Sequence, residues 1–262
     1  MIKQILFRQS IAEENEIAIA KKYFSVVENR VKINDSFVIG RYSVLPYYKE
    51  LEDDLRYNRS ILINSYKQHC WIANFEYYEQ LKDYTFETVH EKDFYKWNYD
   101  GPMVVKGLTN SRKYQWNTHM YAKNRQDALK VASELHNDYF IGYQNLIYRK
   151  YEPLKTFEIG INDIRFTNEW RFFFYRDQEI SRGYYWSTAD EPELGYINQN
   201  GIDFAQKCAK ICSDFVDFFA LDIAEKENGE WVLVEINDGQ QSGLSENDPD
   251  LLYSNLKKVL ND

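Results

Sequence analysis

Leu221-Asp222-Ile223-Ala224-Glu225-Lys226-Glu227-Asn228-Gly229-Glu230-Trp231-Val232-Leu233-Val234-Glu235-Ile236-Asn237 reads as two β-type runs joined through Asn-Gly. Asn-Gly is a favoured two-residue hairpin turn because both positions tolerate positive φ. With the turn at Asn228-Gly229, Glu227 faces Glu230 and, further down the ladder, Asp222 lies opposite Glu235 with Asn237 on the same face. Ile223, Val234 and Ile236 then point the other way, into a core. Opposed carboxylates on neighbouring strands repel, and burial raises the cost unless a proton or a cation compensates. Two carboxylates and an amide oxygen are hard ligands of the kind magnesium accepts, with phosphates and water completing its octahedron. The same acids would equally suit a solvent-facing strand, so the choice between the two turns on the rest of the chain.

Elsewhere, apolar strands carry single cations that sheet patterning does not call for: Lys106 after Val104-Val105, Arg149 after Ile147-Tyr148, and Arg171 within Phe-rich sequence. Each alone could snorkel or pair harmlessly. Together with a magnesium-type acid hairpin they are the parts a triphosphate site requires. The phosphate loops of known type are absent: Gly107 to Lys113 lacks the second Gly of G-x-x-x-x-G-K-[ST], and no G-x-G-x-x-G occurs. Val104-Val105-Lys106 imitates a kinase lysine strand, but there is neither H-R-D nor D-F-G.

The 262 residues suffice for one large domain or two to three subdomains sharing an interface. Against 41 Asp and Glu stand 32 Lys and Arg, a formal net charge of −9. That excludes a general affinity for nucleic acids or anionic membranes while leaving room for a local basic pocket. No apolar run approaches the roughly 20 residues of a membrane span, and Met1-Ile2-Lys3-Gln4 soon reaches Glu13-Glu14 without a signal-peptide core, so the expectation is a cytoplasmic protein. Of three cysteines, Cys208 and Cys212 sit four apart in a helical pattern and read as core thiols. His69, His90, His119 and His136 are scattered. The 22 Tyr, 16 Phe and 6 Trp are a surplus that pattern alone does not explain.

Along the chain, strand and helix patterns alternate. Ile5-Leu6-Phe7 is a strand, followed by a helix that a Ser10/Glu13 capping box would open. Val38 to Tyr42 and Ile61 to Asn64 are further strands around a helix from Tyr48, and Tyr66 to Tyr84 reads as one helix. Met103 to Lys106 and Leu146 to Arg149 are strands flanking a helix capped by Asn124. In the strand Glu169 to Tyr175, Trp170, Phe172 and Phe174 share one face and Glu169, Arg171 and Phe173 the other. Glu191 to Gly201 reads as a loop, Asp203 to Phe219 as a helix, and Asp248-Pro249 as the start of the last helix.

On these residues the sequence resembles the ATP-grasp superfamily. Val104-Val105-Lys106 looks like its first phosphate-binding lysine strand, Leu146 to Leu154 like the interdomain hinge that packs adenine, Glu169-Trp170-Arg171 like its acid-x-Arg strand, and Asp222 with Glu235-Ile236-Asn237 like its terminal magnesium-binding acid and E-x-N. Lys106 followed by Ser111-Arg112-Lys113, with Arg149 at the hinge, is similar to the compact branch that holds predicted peptide ligases and the assembly factor for translation initiation factor 2. Two departures stand out: the loop after Lys106 has a single Gly, and Arg149 or Lys150 stands where many relatives place a second lysine.

The resemblance implies an α+β (α/β) fold, with a small α/β front domain over 1–85 and two α+β lobes, 86–152 and 153–262, clasping a nucleotide. It implies ATP and Mg2+ as cofactors, with Asp222, Glu235 and Asn237 on the metal. Lys106 and Lys113 would meet the phosphates, Arg149, Lys150, Tyr151 and Glu152 the nucleotide at the hinge, and Arg171 with Arg182 the transferred phosphoryl or acyl group. The implied reaction is carboxylate–amine ligation through an acylphosphate, on amino acid, peptide or protein substrates. The rival implication is an ATP-binding assembly factor that ligates nothing, for which exposed aromatics would serve as contact points.

Overall fold

A computed structural model describes residues 1–8, 10–11, 14–160, 164–186 and 196–261. The first strands are short apolar runs linked by helices, a pattern that yields parallel pairing with both faces covered. They are β1 (Ile2–Phe7), α1 (Glu14–Tyr23), β2 (Ser25–Val27), β3 (Ser36–Arg41), α2 (Tyr48–Tyr57) and β4 (Ile61–Leu62), a parallel sheet in the order β2-β1-β3-β4. Leu51 and Leu55 of α2 cover one face and Ile17 and Ala20 of α1 the other. The capping box expected of Ser10 involves Glu13, which lies outside the described residues.

The single helix expected over Tyr66 to Tyr84 is two: α3 (Tyr66–Ala73), opened by a Ser65/Gln68 capping box, and α4 (Tyr78–Leu81). Phe75 between them has φ 63°, which no α-helix accommodates.

An antiparallel sheet follows, ordered β5-β8-β6-β7, from β5 (Thr88–His90), β6 (Met103–Gly107), α5 (Trp116–His119), β7 (Tyr121–Ala122), α6 (Arg125–Asn137) and β8 (Leu146–Lys150). Asn124 caps α6, accepting from the Asp127 N–H. Ala128, Val131 and Leu135 of that helix bury Met103, Val105 and Tyr148. Strand alternation therefore turns Val104, Lys106 and Arg149 to the opposite face.

The last section comprises β9 (Thr156–Ile159), β10 (Arg165–Thr167), β11 (Glu169–Tyr175), β12 (Gln178–Tyr184), α7 (Gln199–Cys212), β13 (Phe218–Glu225), β14 (Trp231–Asp238) and α8 (Pro249–Val259). Four of these strands form an antiparallel sheet in the order β12-β11-β13-β14. The expected loop from Glu191 is described only from Tyr196 onward, and α7 starts at Gln199 with Asn198 as its cap. The helix expected to reach Phe219 stops at Cys212. Phe218 and Phe219 alternate between two cores, one facing the first sheet and α8, the other facing α3, α4 and α7. A two-residue alternation with a core on each side is a strand's burial, and it overrides the helical run. Cys208 and Cys212 are fully buried under that sheet.

The first sheet is fastened to the strand that carries Asn237. The Asn64 side chain donates to the Phe218 carbonyl (2.6 Å) and the Asp238 carboxylate (2.9 Å) and accepts from the Phe218 N–H (2.8 Å). Buried Arg41 donates to the Gly239 carbonyl and to Glu16.

Candidate functional site

The acid hairpin differs from expectation at its turn. Gly229, at φ 85°, donates to the Lys226 carbonyl and Lys226 donates to Glu230, so the loop is the three residues Glu227, Asn228 and Gly229. Glu227 consequently does not face Glu230. A register shift between Asp222 and Ile223 takes up the extra residue: Ile223 pairs with Leu233, Asp222 with Glu235, and Val234 is the bulge. Val234, expected in the core, instead lines a cleft beside Glu235, whereas Ile223 and Ile236 are core residues.

Asp222 is fully buried and faces Arg171 on β11 as well as Glu235 on β14. The Arg171 guanidinium grips it with both arms, Nε to Oδ1 at 2.8 Å and Nη2 to Oδ2 at 2.7 Å. Asn237 completes the group, its Nδ2 3.4 Å from Asp222 Oδ2 and 3.3 Å from Glu235 Oε1. From across the cleft, Lys106 on β6 donates to Glu235 Oε2 at 2.6 Å. Burial works to raise the Glu235 carboxyl, but Lys106, then Lys113 and Arg171, overcome it and hold it well below the usual carboxylate range.

The cleft lies between the second and third sheets and is open to solvent at its mouth. Lys106, Lys113, Arg149, Lys150, Tyr151, Glu152 and Glu235 line it. Arg149 donates to the Val234 carbonyl (2.7 Å) and to Thr88 (3.3 Å), while its buried Nη2 has no protein partner. Lys113 donates to the Tyr185 hydroxyl at 2.6 Å. At the hinge, Glu152 pairs with Lys226 (2.8 Å). The N–H groups of Lys150 and Tyr151 are taken by the carbonyls of Glu87 and Pro102, and Pro153 has none, whereas the Glu152 N–H has no acceptor among the described residues.

Two features go beyond the sequence reading. Glu169, read there as the acid of an acid-x-Arg strand but given no contact at the site, lines the cleft at 3% exposure, and its Oε1 has no partner. Burial pushes its carboxyl up to about 7, with Lys113 pulling down and Asp222 and Glu235 pushing up. The signal was the two-residue alternation that sets Glu169 on the face of Arg171. The pairing of Lys113 with Tyr185 had no local signal.

Arg182 is not brought to the site. It lies opposite Phe172 in the β11–β12 ladder, on the sheet face away from Asp222, and pairs with Glu179 at 3.3 Å. An Arg182→Gln variant is therefore expected to shift stability by no more than ~0.5 kcal/mol. Urea unfolding checks this, and a loss above about 2 kcal/mol would contradict the placement.

The donor set suits a hard divalent cation that brings other ligands with it. Asp222, Glu235 and Asn237 converge, yet among the described residues no three His, Cys, Asp or Glu side chains form a metal cage. Magnesium keeps waters and phosphate oxygens around one or two carboxylates, so a partial set fits it better than a complete one would.

A family model for an ATP-grasp domain, the third family of its clade, matches residues 94–256. No curated protein sequence matches. Similar solved structures include the D-cycloserine synthetase DcsG, with 10% identity and TM-score 0.60 over 98% of this chain and 99% of that one. An ATP-grasp RimK domain protein from Sphaerobacter thermophilus has 10% identity and TM-score 0.57 over 96% and 98%. The ATP-grasp ligase PsnB, complexed with minimal precursor, Mg and ADP, has 9% identity and TM-score 0.56 over 100% and 98%. At these identities the likeness is one of fold. Among the described residues no helix is long and apolar enough to cross a membrane.

Proposed function

From the premise that this chain belongs to the ATP-grasp family, whose domain model matches more than half of it, we propose that it is an ATP- and magnesium-dependent carboxylate–amine ligase. What supports the reading is one observation: Lys106, Lys113 and Arg149 line the same cleft as Glu235, which sits against Asn237 and Asp222. An apolar cleft that ends in cations and paired acids matches a nucleotide with its own metal.

In this reading Asp222, Glu235 and Asn237 hold magnesium, which when bound neutralises charge on the phosphates. Lys106, released from Glu235, and Lys113, released from Tyr185, turn to phosphate oxygens. Arg149, on the cleft wall, adds positive charge there, and the Glu152 N–H meets the base. A substrate carboxylate attacks the γ-phosphorus and ADP leaves. An amine then attacks the resulting acyl carbon, inorganic phosphate departs with the C–O electron pair, and the proton shed by the amine nitrogen passes to that phosphate. The protein's part is positioning and charge neutralisation.

The test is ADP release with candidate amino acids and peptides after Mg-ATP binding has been measured by calorimetry. Release that requires both a carboxylate and an amine is expected. Tight ATP binding with no acceptor-dependent ADP would overturn the ligase reading and favour an ATP-binding assembly factor. Lys106→Met is expected to lower kcat about a hundredfold, the usual cost of one preorganised charge, with the fold checked by thermal unfolding. A fall of less than threefold would remove Lys106 from the phosphates.

A further inference from the structure

Between Arg112 and Trp116, one side chain anchors the segment and two reach the cleft. Arg112 grips Asp138, just beyond the end of α6, with two bonds at 2.7 and 2.6 Å. Lys113 crosses to the third sheet, its ammonium 2.6 Å from the Tyr185 hydroxyl and 4.1 Å from that ring's centre. Trp116, at the start of α5, meets Tyr151 of the hinge edge to face, with ring centres 6.2 Å apart at 60°. Tyr121 supports this corner from behind, stacked on Trp116 at 5.9 Å and edge-on to Tyr151 at 5.2 Å. Trp116 and Tyr151 both line the cleft, as do apolar Val104, Met120, Leu154 and Val234. One part of the cleft is thus aromatic and apolar and another carries Lys106, Lys113 and Arg149, a division that fits a flat ring with an anionic tail.

We propose that Trp116 is a specificity residue that stacks on the nucleobase, so that the base itself seats the segment carrying Lys113 three residues earlier. This rests on the nucleotide reading above. A flat base laid into the Trp116/Tyr151 corner pins α5, and the short 113–115 turn leaves Lys113 little freedom to stray from the phosphates. A triphosphate without a base cannot exploit the corner, and the cleft discriminates against it.

The experiment compares Mg-ATP with magnesium tripolyphosphate by calorimetry on the native chain, Trp116→Leu and Trp116→Phe. Stacking on an aromatic side chain predicts that Trp116→Leu weakens ATP binding about ten- to a hundredfold, leaves tripolyphosphate within about twofold, and is largely rescued by Trp116→Phe. Mg-ATP should also quench tryptophan emission in the native chain and lose most of that quench in Trp116→Phe. Native-like ATP affinity in Trp116→Leu would overturn the stacking role, as would an equal loss for ATP and tripolyphosphate. If the native chain bound no Mg-ATP at all, the nucleotide reading would fall first and this inference with it.

Discussion

Asp222→Asn is expected to lower the unfolding free energy by about 3–5 kcal/mol, because it leaves the buried Arg171 guanidinium without a counter-charge. Asp222 is fully buried and Arg171 8% exposed; in the native protein Asp222 outweighs the burial that acts to lower the guanidinium's pKa, and in Asp222→Asn the guanidinium keeps its charge because its intrinsic basicity is so high. An Asn offers one acceptor where the carboxylate offered two, and no charge. The Gly243 carbonyl, 2.9 Å from Nη1, remains the other partner. The double variant Asp222→Leu/Arg171→Met should recover most of the loss, since replacing both members of a buried pair is far cheaper than removing one. Urea unfolding of the three proteins decides it: a loss below 1 kcal/mol for Asp222→Asn would mean the pair is not closed in solution.

The same pair bears on how a metal enters. Both Asp222 oxygens are engaged by Arg171, whereas Glu235 is tied through one oxygen to a lysine on the second sheet, across the cleft. In the proposed reading, Glu235 is accordingly the acid from which an ion would displace a cation most easily, and Lys106 would then be free to meet the phosphates. Pairing each acid with a cation also answers the repulsion that opposed carboxylates would otherwise exert in a nucleotide-free chain.

The facing of Asp222 and Glu235 was legible in the sequence, but through two offsets that cancel. The turn has one residue more than Asn-Gly alone provides, and the bulge at Val234 takes up that residue. A bulge depends on what packs against the strand, here Arg149 donating to the Val234 carbonyl, and no hairpin pattern encodes that. Arg171 was legible because alternation within one strand fixes its face. Arg182 was not, because its face depends on the register between β11 and β12, which shifts between Phe173 and Phe174. Contacts that cross the cleft, such as Lys106 with Glu235, join two sheets whose mutual packing no local pattern encodes. The aromatic surplus resolves in part into the cores on both faces of the third sheet and the corner at Trp116, while Tyr139 and Tyr143 stay exposed.

Glu169→Gln is expected to stabilise the nucleotide-free protein at pH 8 and to leave it nearly unchanged at pH 4.5. Burial first, and Asp222 and Glu235 after it, raise the folded carboxyl to about 7 against Lys113's pull, while the unfolded chain titrates near the ordinary 4.5. Between those values the folded state holds a proton that the unfolded state has released, so stability from this group is complete below about pH 4.5 and declines as pH rises through 7. At 1.36 kcal/mol per unit the decline amounts to about 3 kcal/mol, which the glutamine variant lacks because it has no charge to desolvate. Urea unfolding in EDTA at pH 4.5, 6, 7 and 8 measures it, and parallel profiles for the two proteins would show that Glu169 is not buried as charge. The cost has a functional counterpart. Glu169 lines the cleft proposed to hold the nucleotide and sits beside Lys113, so the variant that gains stability is expected to lose affinity for Mg-ATP. Strain kept at one wall of the cleft in the empty protein is then relieved by the ligand that occupies it.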